Sequence, residues 1–213
     1  MYSPHPSATL NQLFIEKPYQ GVSPEVADAL FVGLDANYSA NIEQQPVFPK
    51  VCEYHRDGAA FWQKYKVHHP FLLPEYKGDG RYYHKSFAQI GFTSKDADRI
   101  SFTELLHVPT VGRNSLQPSD LSSAHLAKLN QAIIHGKPRF IFLPAGVLRL
   151  MRQTGSFPWL PGDTPTSIST LKLVCKVNDK AVYEHLHFSV YGKYQQRKTQ
   201  EAEALHSLIC RGM

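Results

Sequence analysis

The chain has 213 residues, of which 42% are hydrophobic, and it carries a formal net charge of +5 with a sequence pI near 9.0. This length and composition allow one substantial core, so we expect a single domain over residues 1–213. No apolar run approaches the roughly 20 residues that span a bilayer, and the first residues lack the features of a secretory signal, which predicts a soluble, cytoplasmic protein without a membrane partner. The positive charge suits a polyanionic partner, although proteins that never bind nucleic acid also carry such a charge.

Cysteine and histidine spacing gives no metal signature. Cys52, Cys175 and Cys210 are odd in number and widely spaced, without a CxxC or Cys/His pair, so we expect three reduced thiols. His68 and His69 are adjacent, but no third ligand follows at a suitable spacing. We therefore predict a protein without a metal or another cofactor.

Predicted strands follow one another from residue 29 onward. Residues 29–34 form a short and uniformly apolar run, which is typical of a central strand in a parallel sheet. A second strand is predicted at 100–108 and a third at 139–143. Residues 171–177 and 181–188 could pair as a hairpin.

Helical patterns fall between and after these strands. A helix capped by Ser122 or Ser123 should stop at Gly136, a second should cover residues 145–155, and a third should cover 199–209. Strands that alternate with helices predict a doubly wound α/β sheet.

The segment from residue 43 to residue 83 differs from the rest of the chain. It is rich in proline, histidine and aromatic residues, and it contains no repeat. We interpret it as an insertion or lid over one end of the sheet, because loops of this length usually have a function.

Polar side chains follow the predicted strands where a ligand would bind in an open α/β sheet. Asp35 follows the first strand, Glu104 lies on the second, and His187 lies near the end of the last. An acid and a histidine on two such loops could form a hydrolytic pair. Alternatively, Asp35 caps the following turn and His187 is a partly buried residue at a strand end.

Several motifs resemble those of the uracil-DNA glycosylase superfamily. Gly33-Leu34-Asp35-Ala36-Asn37 is similar to the Gly-x-Asp-Pro-Tyr or Gly-x-Asn-Pro-Gly motif that opens that fold, and His187-Phe188-Ser189 is similar to its closing His-Pro-Ser motif. Between them, FTELLHVPT resembles the strand and Arg-Pro-Thr loop of the mismatch-specific branch, and GRYYHKSFAQIGF and PRFIFLPAG occur in the matching order. The resemblance implies a three-layer α/β/α domain with a central, mostly parallel four-stranded sheet.

The resemblance also implies a reaction. A DNA glycosylase of base excision repair would hydrolyse the N-glycosidic bond of uracil or another deaminated or mispaired base after flipping it out of DNA. Asp35 would activate or orient water and stabilise the cationic sugar, and His187 would donate a hydrogen bond to the leaving base. No lysine stands at the motif positions, so we expect a monofunctional enzyme, acting as a monomer.

Residues around this pair would bind the nucleotide. Asn37 and Tyr38 would shape the pocket floor, Ser189 would hold a phosphate, and Phe71 is one of several aromatic residues that could stack on the base. Glu104, or Thr103 if the alignment shifts by one residue, would read the base edge. An ionised Glu104 would only accept hydrogen bonds, which suits an amino group such as that of adenine or cytosine.

The segment after the last motif should contact DNA. Tyr191 occupies the position where the family inserts a leucine into the vacated base stack, so an aromatic wedge is expected. Lys193, Arg197 and Lys198 follow and could bind the phosphate backbone.

Two departures from the family keep other interpretations open. Ala36 and Phe188 replace the prolines of the two motifs, which changes loop stiffness. Together with Glu104, these departures leave open an inactive module that binds nucleic acid or a nucleobase. The crevice of such a fold could also accommodate free nucleosides or nucleotides as the substrates of an enzyme.

Overall fold

The computed structural model describes residues 2–112, 115–162 and 170–211, which form a mixed α/β domain. Its six described strands are β1 (Tyr19–Gly21), β2 (Ala29–Gly33), β3 (Ile100–Glu104), β4 (Phe140–Pro144), β5 (Lys172–Val177) and β6 (Lys180–His185). Its seven described helices are α1 (Ala8–Glu16), α2 (Phe48–Arg56), α3 (Gly58–Tyr65), α4 (Arg81–Ala88), α5 (Ser123–His135), α6 (Ala145–Thr154) and α7 (Gln195–Arg211). None of these helices is long and apolar enough to cross a membrane.

All six strands belong to one sheet with the order β1-β3-β2-β4-β6-β5. The four central strands, β3, β2, β4 and β6, are parallel to one another, whereas β1 and β5 pair antiparallel at the two edges. The sheet therefore has six strands instead of the expected four, because an antiparallel strand covers each edge of the parallel core.

Helices cover both faces of this sheet. Leu30 and Val32 of β2 point toward α5 and α6, and their neighbours Ala29 and Phe31 point toward α3, α4 and α7. This alternation follows from the period of two along a strand. Because both faces are buried, β2 is apolar at every position up to Gly33, as the sequence pattern predicted.

Several predicted elements are confirmed. The first predicted strand corresponds to β2, and the predicted hairpin corresponds to β5 and β6. Ser122 caps α5 by accepting a hydrogen bond from the backbone N–H of His125. Helix α6 ends at Gly155, whose φ of 66° is a left-handed conformation that glycine adopts without steric cost.

Three predicted boundaries were wrong. Strand β6 ends at His185 and does not continue to residue 188, so His187 lies in the loop after it. Strand β3 ends at Glu104 and does not continue to residue 108, because Leu105 and Leu106 donate to successive carbonyls of Gly33 and Leu34, which breaks the alternation of a strand. Helix α7 begins at Gln195, four residues before the predicted start, because a short 3₁₀ turn at Gly192–Tyr194 leads directly into it.

The predicted insertion at residues 43–83 is a folded helical region. It contains α2, α3, a 3₁₀ turn at Pro70–Leu72 and the start of α4. Together with α1, which the sequence analysis did not predict, α2 and the 3₁₀ turn bury Leu10, Phe14, Val51 and Phe71 in a separate apolar cluster. This cluster fixes the segment beside the first motif, since Ala36 and Tyr38 belong to it.

Candidate active site

The three polar residues predicted at the strand ends come together at one edge of the sheet. Gly33 at the end of β2 lies directly opposite Glu104 at the end of β3, and Asp35 follows two residues later. Burial raises the pKa of Glu104 and the Asp35 carboxylate adds to this shift, whereas at His187 the same carboxylate opposes the lowering of the pKa by burial. Asp35 therefore lies within electrostatic reach of both groups. We call Asp35, Glu104 and His187 the cleft.

The loop that carries Asp35 is held by Thr110. The Thr110 hydroxyl donates to Asp35 Oδ2 at 2.5 Å and accepts from Asn37 Nδ2 at 3.3 Å. Its backbone N–H donates to the Ala36 carbonyl at 2.9 Å, and its carbonyl accepts from the Tyr38 N–H at 3.1 Å. These bonds fix the loop at the point where Ala36 replaces the proline of the family motif.

Glu104 lies over Gly33 at the base of the cleft. A Cβ added to Gly33 would lie 1.9 Å from Glu104 Oε2, so the carboxyl group occupies the space that any other residue at position 33 would need. Burial, and then the nearby Asp35 carboxylate, raise the pKa of Glu104 well above its usual range. Glu104 is thus favoured in its neutral form, which can donate a hydrogen bond as well as accept one. This differs from the ionised group assumed from the sequence.

The backbone of the following turn fixes the tautomer of His187. The backbone N–H of Ser189 donates to His187 Nδ1 at 3.2 Å, so Nδ1 is an acceptor and the neutral ring carries its proton on Nε2. Although the residue is exposed to solvent, the protein atoms around its ring lower its pKa, and Asp35 partly opposes this shift. The imidazole is therefore neutral near pH 7.

Tyr38 and Phe71 lie beneath the Asp35 loop and are both buried. Tyr38 accepts a hydrogen bond from Gln20 Nε2 at 3.0 Å and packs edge-on against Phe71. The Phe71 ring stacks on Tyr76 with a centroid distance of 4.1 Å and keeps only 3% of its surface exposed. Tyr38 keeps only 4% of its surface exposed, so neither ring offers much free surface to a base.

The residues predicted to contact DNA divide into two groups. Ser189, Tyr191 and Lys193 are exposed, and Tyr191 has 77% of its surface open to solvent. Arg197 is exposed as well, but its guanidinium pairs with the buried Glu201 at 2.8 Å. These four residues lie where a partner could reach them.

Lys198 does not suit the predicted phosphate contact, because it is buried. Its ammonium group donates to Tyr82 Oη at 2.7 Å, to Ser86 Oγ at 2.9 Å and to the Val190 carbonyl at 3.1 Å. It therefore ties the loop that follows His187 to helix α4.

Tyr83 lies beside the cleft, and the sequence analysis missed it. Its ring lies 5.4 Å from that of His187 and 5.3 Å from that of Phe188, measured between centroids. Burial raises the pKa of Tyr83, and Glu104 adds to this shift. The helical spacing between Tyr83 and the fully buried Phe87 is the sequence signal that could have placed Tyr83 on the inner face of α4.

His68, His69 and His84, which we call the imidazole cluster, lie in the helical region. The rings of His69 and His84 are stacked 3.5 Å apart, and His68 Nε2 lies 3.3 Å from His84 Nδ1. Burial lowers the pKa of all three histidines. Over the described ranges, no group of three or more His, Cys, Asp or Glu residues is arranged to bind a metal ion.

Comparison with known protein families and with curated proteins found no match for this chain. Its function is therefore inferred from the cleft and from the motif residues that form it.

Proposed function

We propose that this protein is a monofunctional DNA glycosylase that hydrolyses the N-glycosidic bond of uracil or another deaminated or mispaired base flipped out of DNA. The observation that carries the proposal is the cleft, in which a carboxylate, a neutral carboxylic acid and a neutral imidazole meet at the carboxyl ends of parallel strands. The motif resemblance supports the same reaction. A mostly parallel sheet with helices on both faces is compatible with the fold that the resemblance implies.

Asp35 would act on the sugar. When the bond between C1′ and the base nitrogen breaks, the base takes the electron pair and the sugar gains positive charge. The Asp35 carboxylate stabilises that charge and orients a water molecule, whose oxygen bonds to C1′ while one of its protons passes to Asp35 or to solvent. The hydrogen bond from Thr110 fixes the carboxylate before the reaction begins.

His187 and Glu104 would act on the leaving base. The Nε2–H of His187 donates to a base oxygen on which negative charge develops, an interaction typically worth about 3–4 kcal/mol in preorganised sites. A neutral Glu104 donates one hydrogen bond and accepts another, so it matches a base edge that presents a carbonyl beside an N–H. Uracil and hypoxanthine present such an edge, so these deaminated bases fit Glu104 better than the amino-bearing bases suggested by an ionised glutamate.

Water is the preferred nucleophile because the two motif segments that carry Asp35 and His187 contain no lysine. The closest lysine in the sequence after the last motif is Lys193, which lies in the exposed turn. The ammonium of Lys198 is already bound by three acceptors. Hydrolysis should thus leave an abasic sugar with both strands' phosphodiesters intact.

Base release from a panel of oligonucleotides tests the proposal. Each oligonucleotide carries uracil, hypoxanthine, xanthine or ethenocytosine, in a single strand and opposite each base. We expect release of uracil or hypoxanthine, a rate lower by at least about 100-fold in Asp35→Asn, and a nearly unchanged rate in Asp28→Asn. Asp28 is a matched control because it precedes the same strand at its opposite end and pairs with Arg99.

Two outcomes would contradict the proposal. The wild-type protein could release no base from any oligonucleotide, or the two aspartate variants could lose activity equally. Salt-sensitive DNA binding without an abasic product would favour the inactive binding module instead.

A further inference from the structure

Exposed aromatic residues gather on one surface beside the cleft. In the described part of the chain, the large hydrophobic residues with high exposure are Ile15, Val26, Tyr82, Tyr191 and Tyr194. Three of these five are tyrosines from the start of α4 and from the turn after β6, and we call them the tyrosine surface. Exposed large apolar groups that cluster in this way mark interaction sites more often than scattered ones do.

Hydrogen bonds hold the two parts of the tyrosine surface together. The Tyr82 hydroxyl donates to the Val190 carbonyl at 3.2 Å, next to Tyr191. The buried Lys198 ammonium donates to the same hydroxyl and the same carbonyl, and it lies 4.4 Å from the centroid of the Tyr82 ring. Helix α4 and the turn therefore form a fixed platform, which reduces the entropy lost when a ligand binds.

The surroundings of the tyrosine surface are basic. Residues 77–85 and 190–198 together contain six lysine or arginine residues and one acidic residue, Asp79. Lys85 and Lys193 are exposed, and Lys85 lines an open depression that also includes Gly78, Gly80 and Tyr82. Positive charge beside exposed rings is the combination found in surfaces that bind single-stranded nucleic acid.

We propose that the tyrosine surface binds a single-stranded stretch of DNA next to the nucleotide held in the cleft. Bases stack on the tyrosine rings, and phosphates lie against Lys85 and Lys193. A duplex is bound through its phosphates, which need only cationic side chains, because each base face is covered by the next base pair. The bases of a single strand are free to stack on exposed aromatic rings. The proposal rests on the proposed function and sharpens it, because it makes single-stranded DNA the preferred substrate.

Fluorescence anisotropy with undamaged DNA tests this proposal. The probes are a labelled oligothymidylate of about 12 nucleotides, which fits the usual site sizes, and its duplex with oligoadenylate. Wild-type protein should bind the single strand more tightly than the duplex. Tyr194→Ala should weaken single-strand binding by about tenfold while changing duplex binding by less than about twofold.

The Lys85→Gln variant distinguishes the contribution of charge to DNA binding from that of base stacking. It should weaken binding of both probes and make the dependence of the binding constant on salt less steep, because one phosphate contact is lost. Ile15→Ala and Lys128→Gln are the matched controls, since both residues are exposed and lie on α1 and α5. A wild-type preference for the duplex, or a Tyr194→Ala variant that binds the single strand as tightly as Ile15→Ala does, would overturn the proposal.

The use of undamaged DNA separates this test from that of the proposed function. If uracil is released but Tyr194→Ala binds single strands as the wild type does, the proposed role of the tyrosine surface is wrong and the proposed glycosylase activity is retained. If Tyr194→Ala loses single-strand binding and no base is released from any oligonucleotide, the role of the surface is retained and the proposed glycosylase activity is wrong.

Discussion

The cleft and the imidazole cluster both contain groups whose pKa values burial shifts, Glu104 and His187 in the first and all three histidines in the second, but they differ in composition. The cleft combines two acids with a histidine, and the Asp35 carboxylate acts on both of the other groups. The imidazole cluster contains histidines alone, each surrounded by aromatic rings, and burial is the main cause of each shift.

This difference shows why a shifted pKa does not by itself identify a catalytic site. Catalysis at a glycosidic bond needs one group that stabilises positive charge and another that donates a proton or hydrogen bond. The cleft offers both kinds of group, and the exposed His187 gives a substrate access to it. The imidazole cluster offers three groups of one kind in a closed environment, so we assign it to packing.

Among substitutions that leave the three cleft residues unchanged, Gly33→Ala should have the largest effect. The added methyl group would overlap Glu104 Oε2, so the carboxyl group must move. We expect base release to slow by about 100-fold, in line with the loss of one preorganised hydrogen bond. Single-turnover kinetics would measure the change.

Gly146→Ala is the matched control for this substitution. Its added Cβ would meet only Leu34 Cδ1 at 3.8 Å, an ordinary contact, and alanine favours the helix that contains it. Equal activity in the two alanine variants would show that the position of Glu104 does not matter to the reaction.

A smaller effect is expected for Thr110→Val, which keeps the shape of the side chain but removes the hydroxyl. Asp35 would lose a hydrogen-bond donor, and Asn37 would lose an acceptor. A misplaced carboxylate should lower kcat by about tenfold with little change in KM. Thr110→Ser retains the hydroxyl and should restore most of the activity, whereas a Ser variant as slow as the Val variant would rule out this positioning role.

Substitutions in the imidazole cluster should change the stability of the protein but not its activity. Folding lowers the pKa of these histidines, that of His68 to about 3, so the unfolded chain binds more protons below the unfolded value of 6.5. Their contribution to stability is therefore complete above about pH 6.5 and is lost progressively as the pH falls toward the folded pKa. At pH 5 the loss from His68 should be about 2 kcal/mol, or several degrees in Tm, and His69 and His84 should add to it in the same direction.

The variant that checks this prediction is His84→Phe, which preserves a ring against His69. Thermal unfolding between pH 7.5 and pH 5 should show a shallower fall in Tm for His84→Phe than for the wild type. An identical fall in the two proteins would mean that His84 does not titrate on unfolding as proposed.

Much of the parallel core could be predicted from local sequence patterns. The apolar run of β2, the serine cap of α5 and the glycine after α6 are signals that lie within a few residues of the elements they define. Strand β1 has only three residues, and its partner β3 is far away in the sequence, so no local pattern predicts it. Helices α2 and α4 were also missed, because their apolar residues are interrupted by proline or histidine.

The burial of Lys198 illustrates how one boundary changes a site. With α7 starting at Gln195, Lys198 falls on the same helical face as the buried residues Ala202, Leu205 and Ile209. A helix assumed to start at residue 199 leaves Lys198 in an exposed loop, which led to the predicted phosphate contact.

The cleft itself was predictable in part. Asp35 and His187 follow β2 and β6, two parallel strands whose carboxyl ends lie at the same edge of the sheet with β4 between them. The neutral form of Glu104 was not predictable, because it depends on the close approach to Gly33 and on the Asp35 carboxylate, which only the folded chain provides.

The most direct test of the account compares one histidine from each region by single-turnover base release. We predict that His187→Ala releases the base at least about 100-fold more slowly than the wild type, since it loses a hydrogen bond to the developing negative charge. His84→Phe should remain within about twofold of the wild type, because packing residues outside the cleft touch no reacting atom. Equal losses in both variants, or full activity in His187→Ala, would contradict the assignment of the cleft as the catalytic site.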